Sequence, residues 1–419
     1  MQRTEWDVAV IGGGPAGLAA ALAATQQGAK VLLIEREARL GGILKQCIHD
    51  GFGLLRFGER LSGPEYAYRY ERLVRESDIT LALRSFVTRM ERDGEGFLLT
   101  LVGQTGLGEA RAKSVVLATG CRERTARQIA IHGTRPAGVF TAGSAQYYTN
   151  ILGQMPAKRC VVLGSGDIGL IMARRLTLEG AEVLGVYEAK PTPSGLSRNI
   201  AQCLHDFDIP LHTSKTVTWV FGRQRLSAVE VCDVDEAMRP ISGTEEVIDC
   251  DCLILSVGLI PENELAEKLA VPLHPVTGGP VADHNYMTLV DGVFSCGNAL
   301  HVNDLVDYVS EGAAAAGRKA ANYAPGPRHL AMLEPSEDFL YVAPQAVDVL
   351  RLEEDPVFYF RTRAERGKTT VRVLENGREI FSKTYKQLRP PEMERFVLPA
   401  GKLAGQGNGT ITLRMEETP

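Results

Sequence analysis

The feature that most constrains the fold of this chain is a glycine-rich turn that occurs twice, at residues 12–17 and 164–169. Each turn follows a short apolar strand-like segment, precedes an apolar helical segment, and is succeeded by a second apolar strand that ends at a glutamate. The predicted segments are, in the first copy, strand 7–11, helix 18–27 and strand 30–34 before Glu35, and in the second, strand 159–163, a helix to residue 179 and strand 182–187 before Glu188. The chain therefore carries the strand–helix–strand unit of a dinucleotide-binding fold twice.

The residue types in the two turns suit the binding of a pyrophosphate. Glycines allow a tight turn and a close approach of the backbone, and the helix that follows presents N–H groups and its positive dipole end to an anion. Glu35 lies 23 residues after Gly12, and Glu188 lies 24 residues after Gly164, where a carboxylate can accept hydrogen bonds from ribose hydroxyls. Glu188 would repel a ribose 2′-phosphate, which favours NAD(H) over NADP(H), whereas nearby Lys190 argues the other way. The alternative at each copy is a turn that binds nothing.

Further strands and one helix complete the predicted organisation. Apolar strands at 114–119 and 252–257 end at Gly120 and Gly258, and a strand at 293–297 precedes a helix over 305–321. We expect an α/β fold with two Rossmann-like domains, one (126–279) inserted in the other (1–125 and 280–325). Alternating segments at 369–374 and 378–385 around Asn376-Gly377 predict a hairpin in a small C-terminal all-β module, residues 335–419.

Composition narrows the class of protein. The formal net charge of −5, without a run of Lys and Arg, provides no broad basic surface, so nucleic acid is not an expected partner. The N-terminal sequence lacks the order of a secretory signal, and the most apolar early stretch is broken by glycines, so neither export nor a transmembrane helix is predicted. Eight cysteines without a CxxC pair, and without metal-ligand spacing, are typical of a cytoplasmic protein with reduced thiols and no metal.

From residue 5 to about residue 325 the chain resembles the FAD/NAD-dependent pyridine nucleotide oxidoreductases, in which an NAD-binding domain interrupts an FAD-binding domain of the same fold. The second FAD motif of that family is matched by Thr288 and residues 293–297, with Asn298 where an Asp is usual. An amide can still bond the ribityl chain, so we interpret Asn298 as a variant of the motif.

The resemblance implies a set of residues for each cofactor. The FAD-binding residues are expected to be Gly12, Gly14, Pro15, Ala16, Gly17, Glu35, Arg36, Gly42, Thr119, Gly120, Gly297, Asn298, Asp304 and Leu305. The NAD-binding residues are expected to be Gly164, Gly166, Asp167, Ile168, Gly169, Glu188 and Gly258.

A narrower resemblance rests on five longer runs, at residues 41–49, 119–124, 195–200, 256–263 and 297–307. They are similar to the oxidoreductases encoded beside anaerobic glycerol-3-phosphate dehydrogenase-type flavoproteins, which are related to the FAD subunits of opine oxidase, hydrogen cyanide synthase and heterotetrameric sarcosine oxidase. The resemblance implies an oligomer with a partner flavoprotein dehydrogenase subunit, and with a small cysteine-rich electron carrier as a further candidate partner. The C-terminal module is a candidate docking surface.

The missing dithiol matters most for mechanism. Disulfide reductases of this fold carry a CxxC or CxxxxC pair, and neither spacing occurs here. Cys47 lies near the second location and is either a single redox thiol or a buried thiol beside the flavin. Lys45 and His49 are candidates to line the flavin ring, with a solvated or core role as the alternative.

A polar cluster precedes the predicted return helix. His301, Asp304 and Asp307 lie just before or within it, and in this fold the N-terminus of that helix points at the flavin. The helix dipole there would stabilise negative charge on the reduced ring. Asp304 is therefore either a flavin contact or a cap of the helix.

These observations predict a cytoplasmic FAD- and NAD-dependent oxidoreductase in which hydride passes between nicotinamide and flavin without an internal dithiol, and electrons continue to a partner. Two alternatives stay open. One is a single-cysteine reductase of a peroxide, persulfide or disulfide that requires Cys47. The other is a subunit that holds both dinucleotides without turnover.

Overall fold

The computed structural model describes residues 4–403 and 410–417. It divides into two compact units, the first formed by Met1–Cys121 with Pro261–Pro419 and the second by Arg122–Ile260. The second unit is thus an insertion in the first. No helix within the described ranges combines the length and the hydropathy that crossing a membrane requires.

The first unit begins with six strands that are neighbours in one sheet, and the parallel strands among them flank the first glycine turn. Its elements before the crossing are β1 (Thr4–Ile11), α1 (Pro15–Gln26), β2 (Val31–Ile34), a 3-10 helix (Gly42–Gln46), β3 (Asp50–Phe52), β4 (Leu61–Ser62), α2 (Gly63–Arg75), β5 (Thr80–Ala82), β6 (Phe86–Asp93), β7 (Gly96–Gly103) and β8 (Gly106–Leu117). The strand order is β5-β2-β1-β8-β7-β6, with β5, β2, β1 and β8 parallel and β7 and β6 antiparallel. Ile11 pairs with Ile34, so the carboxyl ends of β1 and β2 lie side by side. This register brings the first turn next to Glu35.

The second unit repeats that parallel arrangement. Its elements, with the strands at its two ends, are β9 (Cys121–Glu123), a 3-10 helix (Ala126–Ile129), β10 (His132–Gly133), β11 (Val139–Thr141), α3 (Ala142–Asn150), β12 (Arg159–Leu163), α4 (Asp167–Leu178), β13 (Glu182–Glu188), α5 (Ser197–Cys203), a 3-10 helix (His205–Phe207), β14 (Leu211–Thr213), β15 (Lys215–Gly222), β16 (Leu226–Asp233), β17 (Glu246–Asp249), β18 (Cys252–Leu255) and β19 (Leu259–Pro261). A five-stranded parallel sheet has the order β11-β18-β12-β13-β14, and a second sheet has the order β10-β15-β16-β17. Leu163 pairs with Tyr187, which brings the second turn next to Glu188.

The chain returns to the first unit earlier than the sequence predicts. The next elements are α6 (Glu264–Lys268), β20 (Val293–Ser295), a 3-10 helix (Gly297–Ala299) and α7 (Val306–Ala321). The predicted boundary at residue 280 is wrong by the structure, because residues 261–279 pack into the first unit: Ala266 and Val271 lie in one hydrophobic core with Val87 and Phe97. Sequence periodicity could not assign this short helix to a domain.

Helix α7 packs closely on α1. A Cβ atom on Gly317 would lie 2.1 Å from the carbonyl oxygen of Ala20, so only glycine fits at this crossing. The small residues of both helices allow the approach, and β20 pairs with β8 in parallel. Residues 261–321, called the return segment below, are therefore held against the first strand–helix–strand unit.

The C-terminal part of the described chain consists of strands. They are β21 (Leu330–Pro335), β22 (Phe339–Ala343), β23 (Ala346–Asp348), β24 (Val357–Thr362), β25 (Thr369–Glu375), β26 (Arg378–Tyr385), β27 (Glu394–Val397) and β28 (Ile411–Glu417), with 3-10 helices at Val349–Arg351 and Ala400–Lys402. One sheet has the order β23-β21-β28-β25-β26, and the other has the order β22-β24-β27. Asn376 and Gly377 have φ angles of 51° and 80°, as the predicted two-residue hairpin requires. The described residues 330–403 and 410–417 are called the C-terminal β region below.

The C-terminal β region has a core of its own but is not a separate compact unit. Its aromatic core includes Phe358, Phe360 and Phe396. The buried guanidinium of Arg328, just before β21, donates to the buried Asp283 at 2.8 Å. Because such contacts tie it to the return segment, the region groups with the first unit.

Candidate cofactor-binding sites

The glycines of the first turn have two different roles, close packing at Gly12 and Gly17 and open space at Gly14. A Cβ atom on Gly12 would lie 2.3 Å from the carbonyl oxygen of Ala118, and one on Gly17 would lie 1.7 Å from that of Gly12, so packing requires both glycines. Gly14 is different, because a Cβ atom there would meet nothing nearer than Gly42 Cα, at 3.9 Å. Gly14 is also the N-cap of α1 and has no side-chain cap. The space over the start of α1 is therefore open to a phosphate.

Glu35 is held by backbone donors of the first turn. Its Oε2 accepts from Gly13 N at 2.6 Å, and its Oε1 accepts from Glu37 N at 2.7 Å, while the side chain is buried. Each carboxylate oxygen can accept a second hydrogen bond. The geometry thus suits a ribose diol. The neighbouring Arg36 is directed to Glu262, 3.4 Å away, which is a contact the sequence did not indicate.

The second turn reproduces this packing in the second unit. A Cβ atom on Gly164 would lie 2.1 Å from the carbonyl oxygen of Ser256, and one on Gly169 would lie 2.5 Å from that of Gly164. At Gly166 the nearest atom would be Ser256 Oγ, at 3.8 Å. Helix α4 begins at the next residue, with Ile168 in its first turn. This helix start is again open to a phosphate.

Glu188 accepts the same two backbone bonds as Glu35 and two hydroxyl bonds besides. Ser165 N and Lys190 N donate to it at 3.1 Å each. The Oγ atoms of Ser165 and Ser194 donate to Oε2 at 2.6 Å and 3.1 Å. The sequence pointed to Glu188, but it carried no signal for Ser194.

Asp167 and Gly258 are the other two residues predicted for NAD in the second unit. Asp167 Oδ1 accepts from Leu196 N at 2.9 Å and from Asn199 Nδ2 at 2.7 Å, so its side chain braces the segment after β13. Gly258 has a φ of 101°, and a Cβ atom there would touch only the Arg124 side chain, at 3.9 Å. Both residues lie in the second unit with the glycine turn.

Two of the remaining glycines predicted for FAD, Gly42 and Gly297, lie against the first turn. A Cβ atom on Gly42 would lie 2.9 Å from Gly14 Cα, and one on Gly297 would lie 2.8 Å from Ala16 Cβ. Gly120 has open space where its side chain would be. Thr119 Oγ1 donates to Glu262 O at 2.6 Å. The tertiary structure therefore brings together glycines from three parts of the chain, at residues 12–17, 42 and 297.

Asn298 is fixed by its own loop. Its Oδ1 accepts from Asn303 N at 3.1 Å, and its Nδ2 lies 3.6 Å from Cys121 Sγ. Below it, the buried Asn263 donates to Ala299 O at 2.8 Å and to Gly278 O at 2.9 Å. Asn263 is a positioning residue that sequence reasoning missed, because it acts on backbone 36 residues away.

Asp304 does not cap the return helix. The N-cap of α7 is Leu305, without a side-chain cap. The carboxylate of Asp304 instead accepts from the Arg361 guanidinium and, at 2.6 Å, from Met393 N. Of the two alternatives for Asp304, the helix cap is therefore wrong, because the C-terminal β region provides both donors. Asp307 is also used structurally, since it accepts from Gly53 N and Arg56 N.

The three candidate catalytic residues lie in ordinary packing environments. Lys45 forms an ion pair with Glu37, and the His49 ring lies 5.0 Å from that of Phe52. The Cys47 thiol is buried, burial raises its pKa to about 12, and Sγ donates to Ile43 O at 3.4 Å. A thiol with this pKa contains little thiolate at neutral pH. The structure therefore favours the buried-thiol interpretation of Cys47.

Comparisons with known proteins agree with this arrangement. An opine oxidase subunit from Agrobacterium tumefaciens (strain Ach5) is 28% identical over 70% of this chain, and the HcnB subunit of hydrogen cyanide synthase from Pseudomonas protegens is 29% identical over 62% of it. The chain spans only 61% and 58% of the length of these two relatives. The crystal structure of T. acidophilum thioredoxin reductase is similar in fold, with a TM-score of 0.63 at 21% identity over 76% of this chain and 98% of that one.

The family assignment follows from a match over most of the chain. The model of the pyridine nucleotide-disulphide oxidoreductases matches residues 6–321. Proteins of this family use FAD and NAD(P)H, and the two open helix starts beside buried glutamates fit both dinucleotides. The α/β prediction with Rossmann-like sheets is confirmed. This chain belongs to the pyridine nucleotide-disulphide oxidoreductase family.

Proposed function

We propose that this chain is an FAD- and NAD(H)-dependent oxidoreductase that transfers electrons between the two cofactors and passes them to a partner subunit. The observation that carries the proposal is the repeated site, in which an open glycine turn at a helix start lies beside a buried glutamate. When bound, FAD and NAD(H) supply the hydride chemistry, while the protein supplies position and electrostatics.

The first unit would hold FAD. The backbone around Gly14 and the start of α1 would bind the pyrophosphate, and Glu35 would accept from the ribose of the adenosine. The other proposed contacts are Gly12, Pro15, Ala16, Gly17, Arg36, Gly42, Thr119, Gly120, Gly297, Asn298 and the backbone of Leu305. Asp304 is also proposed as a contact, and each of its carboxylate oxygens accepts one hydrogen bond from the C-terminal β region and can accept a second.

The second unit would hold NAD(H). Glu188 would accept from the free 2′-hydroxyl of the adenosine ribose, and its negative charge would oppose a 2′-phosphate at that place. The glycines at 164, 166 and 169, with Asp167, Ile168 and Gly258, would shape the rest of the site. This supports a preference for NAD(H). Lys190 contacts Glu188 through its backbone N–H, which holds the carboxylate in place and leaves the charge of the carboxylate unchanged.

A partner subunit is proposed because the described chain shows no reactive pair of thiols to receive electrons from the flavin. All eight cysteines lie in the described ranges, none of them forms a disulfide, and seven of them are buried. Two relatives are named as subunits, of opine oxidase and of hydrogen cyanide synthase. We therefore propose a flavoprotein dehydrogenase partner of the glycerol-3-phosphate or amine/amino-acid type, with a small cysteine-rich carrier as the alternative acceptor.

The C-terminal β region has a proposed role that differs from that of the two dinucleotide sites. We propose that it is an all-β module whose task is to hold the return segment beside the flavin, and not to bind a dinucleotide. Its contacts with Asp304 support this role.

An anaerobic titration with NADH tests the proposed function. The purified protein, loaded with FAD, should lose its flavin absorption band after one NADH, that is two electrons, per monomer. Sodium dithionite is the control that shows the flavin to be reducible in the same sample. A flavin that dithionite reduces and NADH does not would contradict electron transfer and support a non-catalytic dinucleotide-binding subunit.

A further inference from the structure

We infer that Arg361 of the C-terminal β region is a positioning residue of the flavin site, because through Asp304 it sets the charge and place of the segment that enters α7. This inference rests on the proposed FAD site. It names a residue far outside the matched family region, which ends at residue 321.

The bonding of Arg361 leaves it little freedom. Its side chain is 14% exposed. Nε donates to Tyr341 Oη at 3.1 Å, one terminal nitrogen donates to Pro391 O, and the other forms the ion pair with Asp304. The second oxygen of Asp304 accepts from Met393 N at 2.6 Å. The carboxylate is thus held by two donors from one side of the molecule.

A short bonded path joins this ion pair to the first glycine turn. Gly297 lies against Ala16, and Asn298 accepts from Asn303, next to Asp304 in the chain. His301 lies between these points and is buried, with its ring 5.3 Å from that of Tyr359. The C-terminal β region therefore contacts this segment at His301 and at Asp304, between Gly297 and the start of α7.

The Arg361–Asp304 ion pair would affect the flavin through its charge as well as through its geometry. Asp304 lies two residues before α7, whose N-terminal dipole favours negative charge. Paired with Arg361, the carboxylate adds almost no net charge at this helix start. Without Arg361, the Asp304 carboxylate would add one negative charge at the place where reduction of the flavin adds further negative charge. Without Asp304, the Arg361 guanidinium would add one positive charge there.

An Arg361–Asp304 ion pair with a purely structural role would give a different result when either residue is changed. It would lower the stability of the protein when either partner is changed, but it would not move the flavin equilibrium in opposite directions. The sign of the change at the flavin therefore separates the two roles.

The experiment compares Arg361→Met, Asp304→Asn and the double variant with the wild type, all loaded with FAD. Each protein is reduced slowly with dithionite beside a reference dye, so the result does not depend on NADH. We expect the reduced-to-oxidised ratio to fall roughly tenfold in Arg361→Met, about 30 mV for a two-electron couple, to rise by a similar factor in Asp304→Asn, and to return near wild type in the double variant. Arg372→Met is the matched control, since Arg372 is paired with Glu379 and Glu416 in the same β region.

Asp304→Asn keeps the size of the side chain and one acceptor oxygen and replaces the other acceptor with an amide donor. It is the variant that decides if Arg361→Met does not fold. A ratio in Asp304→Asn within twofold of the wild type would overturn the inference. A wild-type protein that takes up FAD and is reduced by NADH would leave the proposed function standing in that case. A wild-type protein that takes up no FAD would contradict the proposed function itself.

Discussion

The two glycine turns share a backbone and differ in how their glutamates are held. Glu35 and Glu188 are equally exposed, at 7%, and each accepts from a residue in its turn and from the residue two positions later. Glu188 accepts two further bonds, from the hydroxyls of Ser165 and Ser194. The main-chain pattern is thus a property of the repeated unit, and the hydroxyl bonds are a property of one copy.

This difference has a consequence for binding. An ionised carboxylate has about four acceptor positions, two on each oxygen. At Glu188 three protein donors meet on Oε2, which leaves Oε1 as the oxygen for a ribose hydroxyl, whereas both oxygens of Glu35 keep capacity. The Glu188 carboxylate is therefore held by more donors, and the Glu35 carboxylate has more acceptor positions left for a ligand.

The largest effects should follow from closing the open helix starts. Gly14→Val and Gly166→Val have no close backbone neighbour to displace, so we expect both proteins to fold while the phosphate approach is blocked. Gly14→Val should purify without flavin, with FAD affinity lowered at least about 100-fold, or about 2.7 kcal/mol. Gly166→Val should keep FAD and lose reduction by NADH. Absorption spectra and thermal unfolding would check both.

The two variants also control each other. Loss of FAD in both, or in neither, would break the comparison between the turns, because each turn is assigned to one cofactor only. A yellow Gly14→Val protein would move the FAD site elsewhere.

A smaller effect is expected at the second glutamate. Glu188→Gln keeps the shape but removes the negative charge that opposes a 2′-phosphate, so the preference for NADH over NADPH should fall about tenfold, or about 1.4 kcal/mol. The ratio of kcat/KM for the two nucleotides measures it. Glu35→Gln is the matched change in the other turn and should leave this ratio as it is. An unchanged ratio in Glu188→Gln would show that the acid does not select the nucleotide.

A finer effect is expected from the serine that distinguishes the two copies. Ser194→Ala removes one hydroxyl donor from Glu188 Oε2 and should raise the KM for NADH roughly two- to twelvefold, the range of a single hydrogen bond of about 0.5–1.5 kcal/mol. The exposed Ser242 lies in the same unit, and Ser242→Ala is the control. A lower KM in Ser194→Ala would mean that the hydroxyl competes with the ribose instead of preparing the site for it.

The smallest effect is predicted for a thiol. Neither unit of the described molecule offers a reactive pair of cysteine thiols, and burial raises the pKa of Cys47 to about 12. Cys47→Ser should therefore leave the uptake of two electrons per monomer unchanged. Iodoacetamide at pH 8 should label native Cys47 far more slowly than the unfolded protein. Two additional electrons taken up by the wild type alone would instead favour the single-cysteine reductase.

Local patterns were sufficient to predict both turns and the C-terminal hairpin. The glycines at 12–17 and 164–169, the acids at 35 and 188 and the Asn376-Gly377 turn each act within a few residues or one strand–helix–strand unit, where backbone geometry decides. The domain boundary near residue 280 was misplaced because the five-residue helix α6 has no pattern of its own that shows which core covers it.

The amino-acid sequence by itself determined that this protein has two dinucleotide-binding turns and where their acids fall, because strand–turn–helix geometry depends on short-range sterics. Only the tertiary structure decided what Asp304 does, since its partner Arg361 lies 57 residues away, in a region outside the family match. It also decided that Ser194 belongs to the second site and that Cys47 is buried. Contacts between distant segments depend on how cores and sheets meet, and no local period of the sequence records them.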